Sequence, residues 1–166
     1  MRNLEEFYEG AKDVVEKFDK FVNENGLKEI AKADHICYKC DSSEIFEGIR
    51  KLFENNWFYQ SIIAGRRIAI IKLKEPINTS LGEVSLLELS DQKPDGSQTN
   101  KFDHIEIYPV GISYEELVFY LEDKNLNVVK VERPHHTTHD IKIGDFLTRL
   151  TREPLLDKIK EEMEKN

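Results

Sequence analysis

The chain has 166 residues, enough for one compact domain with a full hydrophobic core. Hydrophobic residues make up 39% and charged residues 34%, a globular composition, and the net charge of −8 argues against a nucleic-acid partner or an anionic membrane partner. No apolar run approaches the length of a membrane span, and the opening MRNLEEFYEG lacks the apolar core of a signal peptide, so the expected location is cytoplasmic.

Residues 3–24 place Leu4, Phe7, Tyr8, Ala11, Val14, Val15, Phe18, Phe21 and Val22 at helical spacing, and Asn25-Gly26 supplies the stop. DHICYKC at 34–40 reads as a strand. Its lone C-x-x-C, Cys37 and Cys40, would point to opposite faces of that strand, which favours two ordinary buried thiols over a metal or redox motif. Asp41-x-x-Glu44 forms a capping box before a helix that carries Ile45, Phe46, Ile49, Leu52 and Phe53 on one face. WFYQSIIA and RRIAIIKL are strands around an Ala64-Gly65 turn, and EVSLLELS at 83–90 is another. DQKPDGSQTN at 91–100 is polar, carries Pro and Gly, and reads as a linker loop.

The order then repeats. FDHIEIY at 102–108 is a strand, and Ser113-x-x-Glu116 is a second capping box before Leu117, Val118 and Leu121. NVVKVE, HDIKI and DFLTRLTR are three further strands, with Gly144-Asp145 at a turn. Residues 154–165 form a last helix with Pro154 near its first turn. The predicted organisation is one domain over 1–166: an N-terminal helix (1–26), a first module (32–90), a linker (91–101), a second module (102–153) and a C-terminal helix (154–166). The fold class is α+β, with two paired β-α-β-β-β modules. Matching element order on both sides makes a duplicated module a better account than coincidence.

The duplication gives the histidines a meaning. KADHI begins at Lys32 and KFDHI at Lys101, so His35 and His104 sit on equivalent strands and converge if the modules pair about a pseudo-twofold axis. On its strand His35 shares a face with Cys37 and Lys39, and His104 with Glu106 and Tyr108. Adjacent strand residues point apart, so Asp34 and Asp103 are expected at turns or edges. Glu88 lies within the apolar VSLLELS, where a buried carboxylate without a partner is costly. His35, Glu88 and His104 therefore form a candidate site for a divalent metal ion (Zn, Fe, Mn or Ni), with open positions for water or substrate. The competing reading has each histidine satisfied in the core and Glu88 facing solvent.

The other three histidines, His135, His136 and His139, fall in RPHHTTHD at 133–140. On an extended strand His135, Thr137 and His139 share one face, and His136, Thr138 and Asp140 the other. These histidines are candidate catalytic groups for proton transfer or oxyanion binding; the alternative is a solvated hairpin end. Arg66-Arg67 reads as a solvated turn before it reads as a carboxylate clamp. No nucleophile elbow and no phosphate-binding glycine-rich loop is present.

DHI at 34–36, GRRIAIIKLKEP at 65–76, LEL at 87–89 and FDHIEI at 102–107 resemble the YecM-like metal-binding proteins of the vicinal oxygen chelate superfamily, which includes glyoxalase I and extradiol dioxygenases. The resemblance covers about residues 1–160 and implies a cup-like sheet with metal ligands on the first and last strand of each module. Carried over, these are His35, Glu88 and His104. The fourth would lie on DFLTRLTRE, which has no carboxylate mid-strand; Glu153 is the nearest acidic residue. The implied activity is that of a metal-dependent isomerase, lyase or dioxygenase on a small oxygen-rich substrate. The alternatives are a metal- or small-ligand-binding module without turnover, and a structural domain that forms a homodimer.

Overall fold

The computed structural model of the chain describes residues 1–133 and 136–165. In chain order the elements are α1 (Leu4–Asn25), β1 (Ala31–Lys39), α2 (Ser43–Leu52), β2 (Phe58–Ile63), β3 (Arg66–Thr79), β4 (Gly82–Ser90), β5 (Lys101–Pro109), α3 (Tyr114–Glu122), β6 (Val129–Glu132), β7 (Thr137–Ile143), β8 (Phe146–Leu150) and α4 (Leu155–Lys165). The eight strands form one open mixed sheet in the order β2-β3-β4-β1-β5-β8-β7-β6. The centre is the antiparallel pair β1–β5, and on either side lies a parallel pair, β1–β4 and β5–β8. The antiparallel pairs β3–β4 and β7–β8 follow, so the two halves repeat about an axis between β1 and β5. The fold is α+β, with the sheet curled into a cup.

Alternation of side chains along the strands, broken at the β1–β5 register shifts, separates the two faces of this sheet. Ile36, Leu87, Leu89, Ile105, Ile107, Ile141, Phe146 and Leu150 point to one side and join Phe7, Phe18, Phe46, Ile49, Leu117 and Leu121 of α1, α2 and α3 in the main core. The other face is the concave one. It carries His35, Cys37, Glu88, His104, Glu106 and Arg149, with α4 laid against part of it through a small cluster of Ile68, Ile70, Leu86 and Ile159. Polar residues on this face are thus dictated by the same period that fills the core.

Capping follows the local sequence with one correction. Ser113 is in extended conformation and its hydroxyl accepts from the Glu116 N–H at 3.0 Å. At α2 the cap is Ser42, which accepts from the Ile45 N–H at 3.2 Å, and not Asp41. Asp41 lies one residue too far from the first turn, and its N–H instead donates to Asn100 at 2.8 Å. Asn3 caps α1, and Gly26, at φ 63°, ends it in the left-handed region. The β2–β3 hairpin turns on Ala64 and Gly65, both at positive φ, the requirement of a two-residue primed turn. The 91–100 segment is pinned at Gln98, whose side chain is buried and donates to the Cys40 and Asp91 carbonyls at 2.9 and 2.8 Å.

Candidate metal centre

The two histidines converge. His35 and His104 are both essentially buried, and their ring centroids lie 6.0 Å apart. Glu88 enters from β4, registered against Cys37 of β1, so its carboxylate joins the same group. One ligand atom each from His35, Glu88 and His104 lie within 4.8 Å of one another. Ligand atoms about 2.1 Å from a common centre can be at most about 4.2 Å apart, so the group is near coordination spacing before any ion draws it in.

Asp34 and Asp103 do not serve turns or edges. Asp34 Oδ2 lies 2.7 Å from His35 Nδ1, and Asp103 Oδ2 lies 2.7 Å from His104 Nδ1. The reason is a break in strand register at both copies. The β1–β5 pairing shifts between Ala33 and His35, skipping Asp34, and again opposite Cys37/Tyr38, where the partner steps from His104 to Phe102 and skips Asp103. A bulge leaves the extra residue unpaired and re-aims its side chain, which lets sequence neighbours meet. The Asp-His phrase is therefore a histidine with its own orienting carboxylate, written twice. An Nδ1–H held by a carboxylate leaves Nε2 with its lone pair aimed into the cup.

The electrostatics of the two rings differ. Burial lowers the His104 pKa, as does the Arg149 guanidinium, so this ring is neutral. Burial also works against a charged His35, but the Glu106, Asp34 and Glu88 carboxylates outweigh it and push its pKa up to about 10. Its Nε2 sits 3.3 Å from Glu88 and 3.4 Å from Glu106, yet makes a geometrically sound hydrogen bond to neither. An orphaned ring nitrogen between two carboxylates is a place that asks for a cation. Burial raises the Glu88 carboxyl, but its contact with the charged His35, helped by the Arg149 guanidinium, holds it far below the usual carboxylate range.

Pseudosymmetry identifies what stands where a fourth ligand was expected. Glu88 pairs with the residue two beyond His35, and the residue two beyond His104 is Glu106, which pairs with Arg149. Arg149 is thus the counterpart of Glu88. Glu153 lies past the end of β8, in the turn before α4, outside the ligand group. Arg149 is bound to Asp140 of β7 through Nε at 2.8 Å and Nη2 at 3.2 Å, and its Nη1 is 3.3 Å from His104 Nε2. Glu106, at the place of Cys37 in the first module, brings Oε2 to 4.0 Å from His104 Nε2. Lys158 of α4 reaches it at 3.9 Å and donates to Thr151 at 2.6 Å.

The histidine-rich segment divides. His135 lies outside the described residues. His136 is exposed at the start of β7, on the Thr138 and Asp140 side; burial lowers its pKa, as do Lys158, Arg133 and Arg149, against the pull of Glu106. His139 points the opposite way, and its Nδ1 meets the Tyr114 hydroxyl of α3 at 2.6 Å. The structure does not bring it to the cluster. Cys37 and Cys40 are buried free thiols; burial raises both, Cys40 to about 12. Arg66 donates to Ser90 and Arg67 pairs with Asp91 and Glu47, so both guanidinium groups hold the hairpin.

A family model described as YecM protein matches residues 3–153. The chain belongs to the YecM family. No curated protein matches. Among solved structures, the structural-genomics protein EC4020 has a TM-score of 0.75 at 22% identity, covering 93% of this chain and 91% of its own. Methylmalonyl-CoA epimerase in complex with methylmalonyl-CoA and NH4+ gives 0.52 at 16% identity, covering 76% and 96%. A Streptomyces coelicolor methylmalonyl-CoA epimerase variant in complex with 2-nitronate-propionyl-CoA gives 0.50 at 17%, covering 73% and 96%. These likenesses place this YecM-family chain in the vicinal oxygen chelate fold. No helix among the described residues is long and apolar enough to cross a membrane.

The residues that the sequence reading missed left partial signals. Glu106 is one alternation beyond His104, and Asp140 shares a face with His136, so both were open to the period-two rule. Arg149 carries no signal as a site residue in the sequence, since only the β5–β8 register sets it opposite Glu106, and Lys158 arrives from a helix outside both modules.

Proposed function

We propose that His35, Glu88 and His104 hold one divalent metal ion, and that the cup above it takes a small oxygen-rich molecule for isomerase, lyase or dioxygenase chemistry. The observation that carries the reading is the paired, carboxylate-oriented histidine motif meeting one carboxylate, with ligand atoms within 4.8 Å of one another, close to coordination spacing. The donor set fits zinc, iron, manganese or nickel. The charge also fits, because the Glu88 and Glu106 carboxylates lie 3.3 and 3.4 Å from a His35 Nε2 that bonds to neither. When bound, the ion supplies Lewis-acid stabilisation of negative charge on a ligand oxygen.

The chain's own groups supply the rest. Asp34 and Asp103 fix the rings and their tautomers. Glu106, buried and facing both Nε2 atoms, is placed to hold a proton near a bound ligand. His136 is exposed just before β7, and burial of its ring lowers its pKa and favours the neutral imidazole, the form that can take a proton from a bound ligand and pass it to water. The alternative of a binding module without turnover draws on α4, which covers part of the concave face. The test is titration of chelator-treated protein with Zn2+, Mn2+, Fe2+ and Ni2+. Glu88→Gln, His35→Ala and His104→Ala are each expected to weaken the preferred ion about 100-fold or more, by loss of a direct ligand. Wild-type affinity in both histidine variants would end the shared-site reading. His136→Ala is expected to leave ion affinity intact while lowering any turnover about 10²-fold or more.

A further inference from the structure

The substitution of arginine for the second module's carboxylate has a chemical consequence for the ligand. Arg149 is largely buried, with 13% of its side chain exposed, and Asp140 occupies its Nε and Nη2. What it offers the cup is Nη1, which now faces the lone pair of His104 Nε2 at 3.3 Å. An ion held by His104 would take that lone pair and leave Nη1, a part-buried donor, without an acceptor beside a second cation. A buried charge-bearing donor in that position is costly unless an anionic oxygen lies next to it. The surrounding charges point the same way. Asp34, Glu88, Asp103, Glu106 and Asp140 are matched against Lys39, Arg133, Arg149 and Lys158. With neutral imidazoles and a dication this leaves one positive charge in excess, even without the exposed Lys101 beside Asp103. Arg133 adds a partly exposed guanidinium at the rim, its Nε donating to Thr138 at 3.2 Å and its Nη2 3.9 Å from Asp140.

We propose that Arg149, with Arg133 at the rim, recognises the carboxylate of a small 2-oxo or 2-hydroxy acid, whose neighbouring oxygens lie against the metal ligands. The first module brings its own carboxylate, Glu88, to the centre. The second brings a guanidinium at the equivalent place, and the ligand supplies the carboxylate that completes the pair. The carboxylate is fixed by a charge-assisted hydrogen bond, the strong class of such contacts. This rests on the metal reading above.

The experiment has two stages on the full chain. Mn2+ affinity is measured first by calorimetry, then oxalate is titrated into the Mn2+-saturated protein. Oxalate is expected to bind wild type, and to bind the Arg149→Gln/Asp140→Asn double variant about tenfold or more weakly, while Mn2+ affinity in that variant is unchanged or higher. Removing both members of the buried pair avoids stranding Asp140. Asp140→Asn alone, which keeps the guanidinium and frees its fork, is expected to retain or improve oxalate binding. Arg133→Gln leaves the buried pair in place and is expected to weaken oxalate about threefold through the loss of a nearby cation. Mn2+-loaded double variant that binds oxalate within twofold of wild type overturns the proposal, as does oxalate that strips the ion or fails to bind the loaded wild type. Failure of wild type to bind any of Mn2+, Zn2+, Fe2+ and Ni2+ is a different result: it removes the metal reading and this proposal with it, and where another of these ions binds and Mn2+ does not, the same oxalate titration is run on protein saturated with that ion.

Discussion

Replacing Asp103 or Asp34 by alanine tests whether the Asp-His phrase is a ligand unit. Each aspartate is nearly buried and lies 2.7 Å from the Nδ1 of its own histidine. A hydrogen bond to a charged partner contributes about 1.5–3 kcal/mol. It also keeps the ring proton on Nδ1; without it, the tautomer with Nε2 protonated competes and must be reversed before an ion binds. Loss of such an orienting partner corresponds to about 10–100-fold in metal affinity, or about 1.4–2.7 kcal/mol. Both alanine variants are expected in that range, and the asparagine variants below it, because the amide oxygen still accepts from Nδ1–H. The two positions separate on a second measurement. Asp34 Oδ2 also accepts from the Leu155 N–H at 3.0 Å, so Asp34→Ala loosens the start of α4, at about 1 kcal/mol. Asp103 instead meets Lys39 at 3.1 Å, so Asp103→Ala leaves α4 seated. Competition for Zn2+ against a chromophoric chelator reads the first effect, and amide hydrogen exchange over 155–165 the second. Zn2+ affinity within twofold of wild type in either alanine variant, or alanine no weaker than asparagine, would refute the reasoning.

The chelator-treated protein is expected to lose stability on the alkaline side: the His35 pKa is raised, so its contribution is full below about pH 6.5 and is lost as pH rises towards about 10, by up to about 5 kcal/mol. Urea melts at pH 6.5 and 9.5 should show a falling midpoint that His35→Gln flattens; an unchanged midpoint in wild type contradicts the charged ring. Ile159→Asp places a carboxylate in the Ile68, Ile70 and Leu86 cluster and should release α4, seen as fast amide exchange over 155–165 with β1 and β5 still protected. Equal protection of the helix in wild type and variant would mean that this cluster does not hold it.

The sequence by itself determined the elements, their repeat and the three-residue candidate site, because each rests on local or periodic information. Helical spacing placed α1, the period of two put His35, Glu88 and His104 on a face opposite Ile36, Leu87 and Ile105, and the repeated phrase implied that the halves meet. It also marked both helix starts to within a residue, although Ser42, not Asp41, turned out to be adjacent to the first turn. Tertiary structure decided what depends on pairing between strands. A bulge is a mismatch between two chains, so the side to which Asp34 and Asp103 turn is set by β1 against β5, not by either strand alone. The identity of the fourth position needed the register of β5 against β8, which puts Arg149 where Glu88 stands in the other half. The direction of His139 was settled by α3 packing Tyr114 against it, and Lys158 joined the cup because α4 folds back over the sheet. Periodicity assigns a side chain to a face; only the packing of one element on another decides what it meets there.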